Sequence, residues 1–321
     1  MRAIQKQILI FLLLSHSAFS QAYNFRNYSV KDGVAQSQVY SLLQDSRGFL
    51  WMGTRGGGIT KFDGINFKTY SVRDGLINNY VFNIKEDSEH NLWVGTNDGL
   101  SKFNGKTFQN FKPKSNGMVW VQEIAIDKQD RKWLATNMGV ILFDKGKFTN
   151  ISQKLNLKKE VINAIHIDKK GDVWFGTSGG LFKFSIVNNE YILQGKGKWK
   201  SIMINSITSI KEDKNGNIYV GTYGNGAYKY VNKEFSRIDS NSTLNKQTVL
   251  DIYFDHHQNI WLATLSKGLA EYNPEAKSLT WLGENEGLSN NHVRTITQDN
   301  SGNFWFGTSG GGVCNYFGKQ F

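Results

Sequence analysis

Short apolar runs alternate with clusters of glycine, asparagine and aspartate along nearly the whole chain. Examples are the runs VYSLLQ (39–44), VFNIKE (81–86) and VRTITQ (293–298), each of which is followed by an aspartate. Runs of this length that end in Gly, Asn and Asp clusters are typical of short strands joined by hairpins. The pattern therefore predicts an all-β chain.

One phrase recurs seven times at spacings of 40 to 45 residues: an aromatic residue, an apolar residue, Gly or Ala, and then Thr. Its aromatic residues are Trp51, Trp93, Trp133, Trp174, Tyr219, Trp261 and Trp305. Six residues before them stand Asp45, Asp87, Asp127, Asp168, Asp213, Asp255 and Asp299. A fixed period of this kind indicates a repeat architecture.

Each repeat reads as four short strands. The first strand ends at the aspartate, the second carries the aromatic residue, the third follows a glycine-bearing loop, and the fourth begins near a phenylalanine such as Phe67. Four-stranded units of about 40–45 residues are the blades of β-propellers. The sequence thus predicts a single seven-bladed β-propeller over residues 22–321.

The two ends of the chain predict how the ring closes. Residues 318–321 (GKQF) align with 64–67 (GINF), so the last repeat stops where its fourth strand should begin. Residues 25–29 (FRNYS) align with the fourth-strand segment 67–71 (FKTYS). An N-terminal strand that completes the last blade would remove the open edges of an incomplete ring.

The N-terminus has the features of a secretory signal. Arg2 and Lys6 flank the apolar run ILIFLLL (8–14), and small or polar residues lead to Ser20. This arrangement predicts a signal peptide over residues 1–20 that is removed by cleavage. The run is shorter than the roughly 20 apolar residues of a membrane span, and no later stretch is long enough. We expect an exported, periplasmic protein with no membrane span after signal removal.

Composition and charge narrow the possible functions. The single Cys excludes an intrachain disulfide and a Cys-based zinc site, and we expect no metal or cofactor. The formal charge of +11 favours encounters with anionic partners, although an ordinary solvated surface explains it equally well. An acidic polysaccharide is a reasonable partner, whereas nucleic acid is not expected for an exported protein. Basic stretches occur at 158–159, 169–170 and 195–200.

The composite phrase DGLxxNxVxxIxxDxxGxLWxGTxxGGLxKFDG closely resembles the two-component regulator propeller repeat. Residues 74–105 are a near-complete copy and residues 286–312 are another. The resemblance implies the periplasmic sensor part of a hybrid histidine kinase that senses oligosaccharides. Members of the family usually continue into further propeller, a membrane helix and a kinase. We therefore expect either a part of a longer sensor or a binding protein that acts through a membrane histidine kinase.

The repeated Trp and Asp residues are interpreted as structural. A Trp present in nearly every blade fills the space between neighbouring sheets, and its N–H finds a partner. Calcium sites of the EF-hand type need several oxygen ligands in one loop, whereas a turn with one Asp and one Gly is typical of a hairpin. Such an Asp bonds the turn backbone, and the turn also resembles the structural Asp-box of sialidase propellers.

Candidate ligand-binding residues are those that differ between blades on the face where the blade-to-blade connections and the loops between second and third strands meet. Aromatic plates with amide and basic donors suit sugar rings and carboxylates. The alternative is an ordinary polar rim around a water-filled channel. The candidates are Arg55, Tyr80, Asn97, Trp120, Asn137, Tyr223, Lys267, His292 and Arg294.

Two other functions remain possible. Streptogramin lyase-like enzymes are also seven-bladed propellers, but they need paired His and an acid on one face. The alignment puts only His292 at the channel mouth; His90, His256 and His257 fall in turns of the opposite face, and His166 lies late in a first strand. No catalytic residue is therefore assigned, and the chain is not expected to be an enzyme. The other alternative is a protein-interaction scaffold anchored by Trp199 or Trp281.

Overall fold

The computed structural model describes residues 22–320 except 156, 158–159, 189, 195–205 and 240–242. The predicted signal peptide, Trp199 and the basic stretches at 158–159 and 195–200 lie outside the described residues. The described chain forms seven four-stranded antiparallel sheets in a ring, which confirms the predicted seven-bladed β-propeller.

Strands are numbered in chain order, and each blade runs outwards from its first strand. The first strands, which surround the central axis, are β2 (Val39–Gln44), β6 (Val81–Glu86), β10 (Val121–Ile126), β14 (Ile162–Ile167), β18 (Ile207–Glu212), β22 (Val249–Phe254) and β26 (Val293–Gln298). The second strands are β3 (Leu50–Thr54), β7 (Leu92–Thr96), β11 (Lys132–Thr136), β15 (Val173–Thr177), β19 (Ile218–Thr222), β23 (Ile260–Thr264) and β27 (Phe304–Thr308).

The third strands are β4 (Gly58–Phe62), β8 (Gly99–Phe103), β12 (Gly139–Asp144), β16 (Gly180–Val187), β20 (Ala227–Val231), β24 (Leu269–Asn273) and β28 (Val313–Gln320). The outer strands are β5 (Phe67–Tyr70), β9 (Phe108–Phe111), β13 (Lys147–Asn150), β17 (Glu190–Gln194), β21 (Glu234–Arg237), β25 (Ser278–Leu282) and β1 (Ala22–Tyr28). Short 3-10 helices cover Val30–Asp32, Val72–Asp74, Thr243–Lys246 and Glu284–Glu286.

The N-terminal strand closes the ring as predicted. Strand β1 pairs antiparallel with β28 and supplies the outer strand of the last blade. The ring of Tyr28 stacks on Trp305 at 5.7 Å, and it also packs against Phe62 of the first blade. One detail differs from the alignment: residues 319 and 320 do not turn away but extend β28, where they pair with Tyr23 and Ala22.

A hydrogen bond between the repeated Asp and the repeated Trp stabilises six of the blades. In six blades the indole Nε1 donates to one carboxylate oxygen of the Asp at 2.7 to 3.1 Å. The other oxygen accepts backbone N–H groups of the turn, as Asp45 does from Arg47 and Phe49. Both residues are therefore structural, as predicted, and the partner of the Trp is the repeated Asp itself.

The same aromatic residue also joins each blade to the next. Trp51 lies in a buried cluster with Val81, Leu92 and Phe103 of the second blade, and Trp305 lies with Val39 of the first blade. Every residue of every second strand is buried. The hydrophobic core is therefore a continuous series of inter-blade layers.

The third residue of the repeated phrase is Gly or Ala because the next blade packs closely against it. A Cβ placed on Gly53 would lie 2.7 Å from Cγ1 of Val81 in the next blade. At two equivalent positions Ala135 and Ala263 are fully buried. A side chain larger than a methyl group would separate the blades, and this restriction keeps the first strands close around the axis.

Replacing Asp87 by Ala should lower the free energy of unfolding by about 1–3 kcal/mol, because it leaves the buried Trp93 N–H without its acceptor. Burial raises the pKa of Asp87, but hydrogen bonds from Trp93 and Asn91 outweigh burial and lower it overall. The Asp87 contribution is thus present above pH about 4 and is lost as the pH falls through the lowered value.

The measurement is urea unfolding of both proteins between pH 7 and pH 3. The matched control is Asp144→Ala, since Asp144 is exposed at the end of β12. Equal stability losses in the two variants would contradict the structural role of the Asp–Trp bond.

Candidate ligand-binding site at the channel mouth

The seven first strands enclose a central channel of about 850 Å³. All the residues that line it lie on these strands or just beyond them. The loops between second and third strands and the connections between blades surround one end of the channel, here called the mouth. The turns between first and second strands surround the other end.

A β-bulge occurs at the same place in every blade. The register between first and second strand shifts after the first residue of the first strand, so the second residue is the extra one. Bulges bend a strand and re-aim a side chain, and they are frequent beside binding sites. The seven extra residues all line the channel, and we call them the bulge ring: Tyr40, Phe82, Gln122, Asn163, Thr208, Leu250 and Arg294.

One half of the bulge ring is aromatic and basic. The guanidinium carbon of Arg294 lies 4.0 Å from the centre of the Tyr40 ring, and the Tyr40 and Phe82 rings are 6.1 Å apart. Arg294 Nε donates to Ser309 Oγ at 2.7 Å, which fixes the guanidinium over the tyrosine. This half therefore offers one cation beside a continuous aromatic surface.

The rest of the bulge ring carries amide and hydroxyl groups, apart from the apolar Leu250. Asn163 Nδ2 donates to the Ile207 carbonyl at 3.2 Å, and Thr208 Oγ1 donates to the Val249 carbonyl. Gln122 completes this polar sector. The two halves together give a site with stacking surfaces on one side and hydrogen-bonding groups on the other.

Above the bulge ring, the loops at the mouth are joined by backbone bonds. Arg55 N donates to the Gln38 carbonyl and Asn97 N donates to the Tyr80 carbonyl. Arg55 also pairs with Tyr80 in an isolated β-bridge, and both side chains are exposed. The positive charge of Arg55 is close enough to lower the pKa of Arg294, although burial is the larger cause.

His292 precedes β26 at the mouth, as predicted, but part of its ring is buried. Its Nε2 atom is buried and has no hydrogen-bond partner among the described residues. Burial, followed by the charge of Arg294, lowers the pKa of His292. The imidazole is therefore neutral at pH 7.

The other predicted residues divide between the mouth and its surroundings. Trp120 is exposed, and its backbone N–H donates to the Asn137 side chain at 2.9 Å. Asn137 thus holds the loop that presents Trp120. Tyr223 is 61% exposed, and its backbone N–H donates to the Ser206 carbonyl.

Lys267 lies away from the channel. Its ammonium is 4.2 Å from the Trp281 ring on the outer strand β25 and 3.2 Å from Thr243 Oγ1.

The structure brings Arg294, Arg55, Tyr80 and His292 together in one sector, around blades 7, 1 and 2. It adds Tyr40 and Phe82, which the sequence interpretation missed. A strand pattern alone does not reveal a bulge, so these positions read as ordinary strand residues. The available signal was their variability: the second position differs in all seven blades, whereas the first is always Val or Ile.

The described residues contain neither a metal-binding group nor a membrane-spanning helix. Among residues 22–320 outside the gaps given above, no group of three or more His, Cys, Asp and Glu is arranged to hold a metal ion. In the same part of the chain, no helix has the length and apolar character needed to cross a membrane.

Five segments of the chain match the two component regulator propeller family: residues 33–56, 75–98, 156–179, 201–224 and 287–310. In the first blade the matched segment runs from the blade connection through β2 and β3 to the loop at the mouth. The protein is thus a seven-bladed β-propeller that carries two component regulator propeller repeats, which confirms the resemblance found in the sequence.

The chain is 31% identical over 165 residues to Histidine kinase P4 of Formosa agariphila, a match to 49% of this chain and 12% of that protein. The extracellular domain of a putative hybrid two component system from B. thetaiotaomicron matches with a TM-score of 0.74 and 24% identity, over 92% of this chain and 42% of that one. A streptogramin B lyase matches with a TM-score of 0.69 and 14% identity, over 93% and 98%.

The two solved structures share the fold with this chain. The chain spans only 12% of the kinase and less than half of the two component system domain. The sequence similarity connects the chain to a histidine kinase and the repeats connect it to two component regulator propellers, whereas the lyase similarity rests on the propeller architecture alone.

His166 makes stability depend on pH. Burial, followed by the charge of Lys211, lowers the pKa of His166 to about 4. Between pH about 6.5 and pH about 4 the unfolded chain therefore binds a proton that the folded protein does not bind. We expect the free energy of unfolding to fall as the pH is lowered through this range.

Chemical unfolding at several pH values measures this effect. The His166→Gln variant should lose less stability between pH 7 and pH 4.5 than the wild type. His257→Gln, in an exposed turn, is the matched control and should keep the wild-type profile. A His166→Gln profile identical to that of the wild type would contradict the assignment.

Proposed function

We propose that the protein is an exported ligand-binding sensor propeller that recognises an oligosaccharide at the channel mouth. The bulge ring carries this proposal, because seven side chains that differ between blades point into one cavity from otherwise repeated strands. A scaffold alone requires no such variation.

The chemistry of the 7–1–2 sector fits a sugar. The faces of Tyr40 and Phe82 can stack on the apolar face of a sugar ring. Arg294 and Arg55 can bind carboxylate or sulfate groups through charge-assisted hydrogen bonds. Gln122 and Asn163, across the channel, suit sugar hydroxyls. Exposed Tyr80 and Trp120 extend the surface beyond the mouth for further sugar units.

The relatives support a sensory role. The similarity to a histidine kinase and to the extracellular domain of a two component system favours a protein that acts outside the cytoplasm and signals through a kinase. The apolar N-terminal run agrees with export of this chain. The ligand signal would then pass to a membrane histidine kinase, either as a continuation of the same polypeptide or as a partner.

A lyase function has less support. A general base must reach the proton that it removes, whereas Nε2 of His292 is buried. His256 and His257 lie in the turn between β22 and β23, at the other end of the channel. The mouth therefore provides binding groups rather than an acid–base pair.

We expect at least one oligosaccharide in a panel of neutral, uronic-acid and sulfated glycans to bind, as measured by calorimetry and by a rise in melting temperature. Tyr40→Ala should weaken this binding by up to about tenfold, because a stacking surface is lost. Arg294→Gln should weaken binding of acidic glycans more than that of neutral ones.

Phe317→Ala is the matched control, since Phe317 is an exposed aromatic residue on β28. It should bind as the wild type does. If no glycan in the panel gave a calorimetric signal or a thermal shift, the oligosaccharide proposal would be wrong.

A further inference from the structure

Beyond the bulge ring, away from the mouth, the channel wall carries charged and titratable side chains from five blades. We call this group the charge belt: Lys85, Glu123, His166, Lys211 and Asp251. Charges taken out of bulk water are costly unless they are paired and hydrogen-bonded. Each member of the belt therefore needs an explanation.

The two carboxylates of the charge belt already accept hydrogen bonds from other residues of the channel wall. Glu123 Oε2 accepts the backbone N–H of Ile165 in the next blade at 2.8 Å. Asp251 Oδ2 accepts the N–H of Ile296 in the next blade at 3.0 Å, and its Oδ1 lies 3.1 Å from the Lys211 ammonium. Both residues occupy the third position of their strands.

The same inter-blade bond recurs without charge in other blades. Ser41 Oγ accepts from Ile84 N, and Asn83 Oδ1 accepts from Ile124 N. The third position is thus a structural position that joins neighbouring first strands. Glu123, Asp251 and, through its ion pair, Lys211 are accounted for by this role.

Lys85 is not accounted for in this way. Its ammonium has no hydrogen bond or ion pair with any residue that the structure describes, although its side chain lines the channel. Lys211, Glu123, Asp251 and His166 are the charged or titratable groups that face it. Burial, followed by the charge of Lys211, lowers the pKa of Lys85, and the charges of Glu123 and Asp251 raise it without outweighing these two effects.

We infer that Lys85 forms an anion-binding subsite in the channel, beyond the bulge ring, for a small oxyanion such as a carboxylate or sulfate group. The channel, at about 850 Å³, has room for such a group beside the Lys85 side chain. A cation is disfavoured because the carboxylates already accept backbone and lysine hydrogens. This subsite does not depend on the oligosaccharide proposal, since a free anion can occupy it alone.

The anion has two possible sources, which have the same chemistry. It can be a free ion from solution, or it can be the acidic group of a larger ligand that enters from the mouth. Inorganic sulfate tests the first source and glucuronate tests the second, with glucose as the uncharged comparison.

The experiment measures the melting temperature against sulfate concentration, relative to chloride at equal ionic strength. The wild type should show a saturable rise, because a ligand that binds only the folded state stabilises it. Lys85→Met should bind about tenfold or more weakly, owing to the lost charge-assisted bonds. It should fold with a melting temperature in chloride at least equal to that of the wild type, since an unpaired charge is removed.

The matched control is Lys68→Met, which removes the same charge from the exposed outer strand β5 and should keep the saturable response. Lys85→Gln provides a second, polar replacement that should also lose the response. A saturable response to glucuronate but not to sulfate or glucose, lost in both Lys85 variants, would assign the anion to a larger ligand. A wild-type response to either anion in the Lys85 variants, or no saturable response of the wild type to either, would overturn the inference.

Discussion

The hydrogen bond between the repeated indole and the repeated carboxylate is the interaction on which the rest of this propeller depends. In six blades one oxygen of the Asp holds the turn and the other holds the Trp of the following strand, so a single side chain fixes both a hairpin and a rotamer, as Asp168 does. The fixed Trp then forms the layer against which the next blade packs. The geometry of the turn thus determines the spacing between neighbouring blades. The residues around the axis are not needed for this spacing and can therefore differ between blades.

Much of the fold could be predicted from the sequence because the repeat is carried by residues whose roles do not depend on context. Trp, Asp, Gly and Thr recur at fixed positions, and the offset between the two chain ends indicates the closing strand. The pairing of Trp93 with Asp87 was not evident, since residues six positions apart meet only after the hairpin has formed. The extension of β28 past Gly318 was also missed, because 318–321 resembles the turn sequence of an earlier blade.

The candidate site was predictable only in part. Loop residues such as Arg55 and Tyr80 could be located from the alignment, because the loops at the mouth follow from the order of the strands. Tyr40 and Phe82 could not, since a bulge changes which side chain faces the channel without changing the sequence alternation around it. Lys267 shows the opposite error: its loop is at the mouth, but its long side chain turns outwards to Trp281.

The contact between Arg294 and Tyr40 joins the last blade to the first. These two residues belong to the first and the last blade of the ring, and they meet only when β1 has paired with β28 and the ring is complete. A chain that is still being synthesised can fold its early blades, yet it cannot assemble this sector of the mouth. The order in which the blades emerge therefore makes this sector of the mouth the last part of the ring to form, and only a fully closed ring presents it.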